Sequence, residues 1–257
     1  MTDFHEVVAA TMHGQEVSLH DLLYCLKIHE KTAWLTETVQ TMVMMRAASR
    51  AGLTIQDAEL QRAAEQFRRS RRLYKAADTF RWLQERQMTV RDLETRLEQE
   101  LLTVKLREHV TTGQIERYFA EHKTAFDTAR IAHIMVDKSG VAHELFSQLT
   151  EEDADFSTLA RKYSLELSSR DAGGYVGLVR RKMLSPAAEA LVFTAQAGAI
   201  VGPVKTEAGY QVIQVQEHLP STLDDAIRAE ITTSLFTDWL RAEMRQAQVA
   251  LPLLQHV

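Results

Sequence analysis

A chain of 257 residues, 45% hydrophobic and 25% charged, is long enough for one or two buried cores and excludes wholesale disorder. Its net charge of -5 gives no overall footprint for nucleic acid, and a single cysteine, Cys25, excludes an intramolecular disulfide or a cysteine-built metal site. No stretch is apolar and long enough to span a membrane, and no basic run precedes the short apolar segment Val7–Ala10, so a cytoplasmic location is expected.

In chain order, Glu6–Met12 and Glu16–Val17 around Gly14 predict a small β-ribbon. No proline occurs before Pro186, and helices are expected near 18–30, 32–51, 55–72, 78–87, 90–110 and 113–124. Three of them carry a hydroxyl residue followed three positions later by aspartate: Ser18 and Asp21, Thr54 and Asp57, Thr89 and Asp92. Cys25 sits among Leu22, Leu23 and Leu26, a pattern that predicts burial. Leu93, Leu97, Leu101, Val104 and Val110 form an amphipathic stripe. The run Arg68-Arg69-Ser70-Arg71-Arg72 spreads around a helix and reads as a solvated face; its other reading is contact with an acidic client or leader peptide. Clustered Met42, Met44 and Met45 suit a helical core, or adaptable contact with apolar segments.

From Ala129 the period changes. Ile131, His133 and Met135 alternate with Ala132, Ile134 and Val136, which predicts a strand buried on both faces. Helices follow at about 141–151 and 155–163, then a glycine-rich loop from Ser168 to Gly177 and a helix at 186–195. Val204 to Gln216 reads as two strands around Glu207-Ala208-Gly209. This β-α-α-β-α-β-β order is an α+β unit with helices packed on a small sheet. Beyond Pro220, Leu223, Ile227, Ile231, Leu235, Trp239 and Leu240 form one helical stripe through about residue 248, for which the N-terminal helices are the expected partner.

Four blocks in this half are A-R-I-A-H-I-M-V from Ala129, D-F-S-T-L-A-R-K-Y-S from Asp155, G-G-Y-V-G from Gly173, and G-P-V-K-T-E-A-G-Y-Q-V-I-Q-V from Gly202. In this order and spacing they resemble the parvulin family of peptidyl-prolyl cis-trans isomerases. The layout, with helices at both ends of such a block, resembles foldases of the SurA and PrsA type. The fold class implied is α+β: an all-α chaperone module of N-terminal helices plus the C-terminal helix, with an inserted parvulin domain of small mixed sheet and surrounding helices. The boundaries expected are 1–128 for the helical domain, 129–219 for the parvulin domain and 220–257 for the C-terminal helix.

Rotation about an X-Pro bond is slow because amide resonance must be broken, a barrier of ~20 kcal/mol. A pocket accelerates it by gripping the proline ring and hydrogen-bonding the twisted amide better than the planar one, so neither metal nor cofactor is expected. The resemblance assigns His133 to the histidine that opens the parvulin motif and Thr206 to the hydroxyl residue of the pocket-floor network. Gln211 stands where parvulins carry a second histidine, and Glu166 where they carry cysteine or aspartate. An ungapped register from Gly177 to Phe193 places Leu184 at the family's pocket methionine, with Met183 one position earlier, and Phe193 at an apolar position that is mainly core; Val176 replaces the leucine of the glycine-rich motif, and these four with Ala188 are the substrate-binding residues the resemblance implies. Ala188 falls at the aromatic that packs on the substrate proline, a loss of contact worth about 1–2 kcal/mol at ~25 cal/mol/Å².

The resemblance implies a foldase that binds an unfolded or precursor polypeptide and isomerises its X-Pro bonds. The alternative is a peptide-binding chaperone, or a maturation factor for one dedicated client, built on a degenerate parvulin domain. Neither a nucleic-acid partner nor membrane insertion is expected, and a homodimer is left open.

Overall fold

The computed structural model describes residues 6–13 and 15–249. Contacts divide the chain into two compact units, one formed by 1–112 with 232–257 and the other by 113–231.

In the first unit, strands β1 (Val8–Met12) and β2 (Gln15–Ser18) pair antiparallel as a ribbon; Gly14 of the expected ribbon lies outside the described residues. Five helices follow: α1 (Leu19–Ile28), α2 (Ala33–Arg50), α3 (Asp57–Ser70), α4 (Ala76–Gln84) and α5 (Val90–Thr111). Two of the expected helix starts form as read. Ser18 Oγ accepts from Asp21 N at 3.1 Å, and at Thr89 and Asp92 each side chain takes the other's backbone N–H. The third does not. α3 is capped two residues later, where Glu59 Oε2 accepts from Gln56 N at 2.8 Å, while the Thr54 carbonyl is taken by Lys105 Nζ. Glutamate reaches back over the first turn more readily than aspartate.

α5 joins two cores. Its Leu93 and Leu97 pack with Phe67, Leu73 and Leu83, whereas Leu106 lies with Ala47, Ala48 and Phe236. The buried stripe thus passes through Leu106, and Val104, expected within it, is 53% exposed. Cys25 is exposed as well, against expectation, because α1 buries Leu23 alone of its residues. α11 (Asp225–Gln246) supplies Phe236 and Trp239 to the second of these cores, and its Glu243 pairs with Arg50 at 2.5 Å. The second half of α11 thus contributes Phe236 and Trp239 to a core with N-terminal helices, while the buried Ile227 and Ile231 of its first half belong to the other unit.

The second unit opens with α6 (Ile115–Phe126) and β3 (Thr128–Val136), then α7 (Ser139–Glu151), α8 (Phe156–Tyr163), the short α9 (Leu167–Arg170) and β4 (Tyr175–Arg180). A 3-10 turn at Arg181–Met183 leads to α10 (Pro186–Thr194), β5 (Ile200–Thr206) and β6 (Gly209–Leu219). Strand order is β4-β3-β6-β5, and every pairing is antiparallel. The expectation of a mixed sheet is thereby corrected: a tight hairpin at Glu207-Ala208 forces β5 and β6 antiparallel, and β3 receives both neighbours in the same sense. Central β3 is covered on both faces. Ala132, Ile134 and Val136 pack with Leu145, Phe156 and Leu159 of α7 and α8, while Ile131 packs with Val192 and Ala188 of α10. Alternation places His133 on the α10 face, beyond the apolar core. Ser221 donates to Lys123 O and Asp127 Oδ1, and Arg228 pairs with Glu116 at 2.7 Å, which fastens α6 and the first residues of α11 into this unit. None of the described helices is long and apolar enough to cross a membrane.

Candidate functional site

The ring of His133 is positioned by backbone as much as by side chains. His133 N donates to Gly174 O at 2.8 Å, and Gly174 adopts φ +82, where a Cβ would stand 2.6 Å from His133 O. Only glycine lets the G-G turn come this close. One residue pair further along β3, Ser164 Oγ accepts from Met135 N at 3.2 Å and Leu165 N donates to Met135 O at 2.8 Å. The loop carrying Glu166 is thus stitched to the end of β3.

His133 is half-buried and has a partner at each ring nitrogen. Gln211 Nε2 faces Nδ1 at 3.4 Å, and Ser169 Oγ lies 3.2 Å from Nε2. With the Gln211 amide donating, the neutral ring accepts at Nδ1 and donates from Nε2 to Ser169, an assignment drawn from this hydrogen-bond network. Burial lowers the His133 pKa below the ordinary histidine value, while the nearby Glu166 charge works to raise it. Burial wins, so the ring is neutral at neutral pH. Glu166 itself accepts from Ser168 Oγ at 2.7 Å. Ser169 is 4% exposed and Ser164 3%. Both were missed in the sequence, where a serine in a polar loop carries no mark of burial.

Beside this network opens a cleft of about 750 Å³ lined by Met135, Ser185, Lys205, Thr206, Glu207, Ala208 and Gln211. Thr206 lines the cleft, but its hydroxyl donates to Gly209 O at 3.1 Å and lies 3.9 Å from Met135 Sδ. Among the described hydrogen bonds it does not join His133 or Gln211. The tight hairpin turns Thr206 onto its own strand partner.

The apolar positions separate. Ala188 is 1% exposed and packs with Val192, Val204 and Ile213, so it offers a ligand no surface; the expected wall position is closed over by the core. Leu184 and Phe193 are half-buried against the same cluster, and the Arg181 guanidinium lies 4.2 Å from the Phe193 ring centroid. Met183 is 70% exposed on the 3-10 turn. Val176 is the extra residue of a bulge in β4, between Tyr175 opposite Ala132 and Gly177 opposite Ile131, and is 41% exposed. None of these five lines the cleft. No group of three or more histidine, cysteine or carboxylate side chains that would hold a metal occurs among the described residues.

The sequence pattern of the rotamase family, described as a PPIC-type PPIASE domain, matches residues 136–217. The chain carries a PpiC-type parvulin domain. His133 lies just ahead of the matched segment, on the strand that the match enters at Val136. The foldase protein PrsA of Caldanaerobacter subterraneus subsp. tengcongensis is 31% identical over 129 residues, 50% of this chain and 42% of that protein. A parvulin-like PPIase of Rickettsia bellii is 27% identical over 157 residues, 55% of each chain. The chain spans about half the length of the curated relatives it matches. In three dimensions, the crystal structure of the peptidylprolyl isomerase PrsA from Bacillus cereus superposes with a TM-score of 0.55 at 19% identity, covering 96% of this chain and 94% of that one. That likeness extends beyond the parvulin domain to the helical unit, and it is a likeness of fold.

Proposed function

We propose that the chain is a foldase that binds unfolded polypeptide and catalyses rotation about its X-Pro bonds. The observation that carries this reading is the half-buried His133, hydrogen-bonded at both ring nitrogens, with its Gln211 partner lining an open cleft of the parvulin domain. The reaction makes and breaks no covalent bond, so the residues act by holding. Met135 supplies apolar contact to a proline ring. The Gln211 amide has a second N–H beyond the one directed at His133, and this is the donor offered to the proline nitrogen, whose lone pair is freed as the amide turns out of conjugation. His133 and Ser169 keep that amide oriented, so no reorganisation is needed at the moment of rotation.

The test is an isomerisation assay of the full chain on short X-Pro peptides, with Gln211→Ala and His133→Ala as variants and melting curves as folding controls. A folded His133→Ala protein that keeps the full rate would sink the reading.

A second reading is docking without turnover. It is favoured by one observation: the side chains that line the cleft include no aromatic ring on which a proline would stack. Peptide binding with no acceleration of isomerisation would establish it in place of the first.

A further inference from the structure

The basic run on α3 resolves into side chains with separate tasks. Arg68 donates from Nε to Leu73 O at 3.3 Å and from Nη2 to Tyr74 O at 3.2 Å, closing the C-terminal end of the helix. Arg69 pairs with Glu65 of its own helix at 3.4 Å. Arg71 does neither. Its guanidinium lies 4.6 Å from the Phe67 ring centroid and 5.3 Å from that of Trp82, and among the described ion pairs it has no carboxylate.

Arg71 stands on the wall of a groove of about 390 Å³ between α3 and α5. Arg96 stands on the same wall set, 5.9 Å from the Phe67 centroid. Leu97, Leu101 and Val104 floor the groove, and Val104 is the stripe residue left 53% exposed. The carboxylate in the groove, Glu100, is bound by Arg96 at 2.9 Å, which leaves the Arg71 charge in excess. A guanidinium held over an aromatic ring is pre-oriented and retains N–H groups that donate to an anion.

We propose that this groove docks an acidic, apolar polypeptide segment, with a carboxylate on Arg71 and apolar side chains on Leu101 and Val104. Charge complementarity selects the acidic partner, and the apolar floor selects a polypeptide over a nucleic acid. The rings that would stack bases are not open: Phe67 is 8% exposed and meets Trp82 edge-on at 5.2 Å, Arg71 lies over Phe67, and Arg86 lies over Trp82 at 4.3 Å. The inference shares with the proposed function the premise that clients are polypeptides, and it concerns a site outside the parvulin domain.

The test uses the full chain and the fluorescence anisotropy of three short labelled peptides of equal length: one alternating leucine with glutamate, one leucine with lysine, and one serine with glutamate. The leucine–glutamate peptide is expected to bind, and each of the other two to bind at least about tenfold more weakly. Arg71→Gln and Val104→Glu are each expected to weaken the first peptide by about tenfold while leaving the circular dichroism spectrum unchanged. Val104 is exposed, so its variant decides the matter even if Arg71→Gln loses helix. Equal binding of the lysine peptide, or wild-type affinity in a folded Val104→Glu protein, would overturn the proposal, as would displacement of the peptide by oligouridine. Isomerisation of X-Pro peptides is expected to proceed at the wild-type rate in both variants. Peptide binding with no isomerase rate at all would leave the groove standing and remove only the catalytic reading.

Discussion

Gln211 Nε2 lies 3.4 Å from His133 Nδ1, yet the two residues are not opposite each other in the sheet: Gln211 pairs with Met135, and His133 with Ile213. The contact is the diagonal one between adjacent antiparallel strands, which long side chains span and short ones do not. Ser169 holds the other ring nitrogen, so the imidazole is fixed between β6 and the α9 segment.

Ser169→Ala is expected to lower the isomerisation rate by about tenfold, the worth of one partly buried hydrogen bond. Ser169→Thr, which keeps the hydroxyl, is expected to restore most of it. Imidazole nitrogen chemical shifts are the discriminating readout: if Ser169 accepts from Nε2–H, the alanine variant shifts the tautomer balance. Unchanged shifts together with an unchanged rate would mean the serine only packs.

The pH dependence follows from the depressed His133 pKa. Between the folded value and the unfolded value of about 6.5, the unfolded chain binds more protons, so this residue's contribution is present above about pH 6.5 and is lost as pH falls toward the folded value. Melting temperature is expected to decline on acidification through this window, and His133→Asn to remove that part of the slope. Glu166→Gln removes the charge that supports protonation, so the decline still begins near pH 6.5 but runs on to lower pH and reaches a larger total loss. Activity is expected to be flat between about pH 6.5 and 8. A steep step near neutrality in the wild-type profile would contradict the buried neutral ring.

Gly174→Ala is expected to cost about 1–3 kcal/mol and to reduce isomerisation further than its stability loss explains. The added Cβ meets His133 O at 2.6 Å in a left-handed conformation, so the G-G turn or β3 must move. Chemical denaturation and the rate of the residual folded protein separate the two effects. A variant with native stability would show that the turn relaxes freely.

Ala188→Phe tests the pocket wall. The parvulin resemblance alone implies a gain, because it restores the aromatic position. In the structure Ala188 is enclosed by Val192, Val204 and Ile213, so the ring overpacks the core and costs about 1–3 kcal/mol with no gain in rate. Faster isomerisation in a stable variant would show that the core opens there toward the cleft.

Leu106→Ala should destabilise the helical unit by about 2–5 kcal/mol, since Leu106 is 1% exposed among Ala47, Ala48 and Phe236. Urea unfolding with intrinsic fluorescence reads the loss. A change under about 1 kcal/mol would mean that the site collapses around the cavity.

What the sequence by itself determined was the kind and order of the elements. Helix periodicity, two of the three cap signals and the change of period at Ala129 depend on neighbours within a few residues, and so survive without tertiary information. The motif order likewise pointed to His133 and Gln211, and the alternation of β3 put His133 beyond Ile131 on one face. Contacts between segments distant in sequence were decided by the tertiary structure alone. Ser169 reaches His133 only because the α8–α9 loop is stitched to Met135. Thr206 is drawn to Gly209 by its own hairpin, and Ala188 is sealed where an ungapped register expected a wall. The same holds for the stripe of α5, where two cores on successive turns rotate the buried face from Val104 to Leu106. A linear pattern records which side chains are apolar or polar, but the direction a side chain takes and the partner it meets depend on packing against residues that pattern cannot bring together.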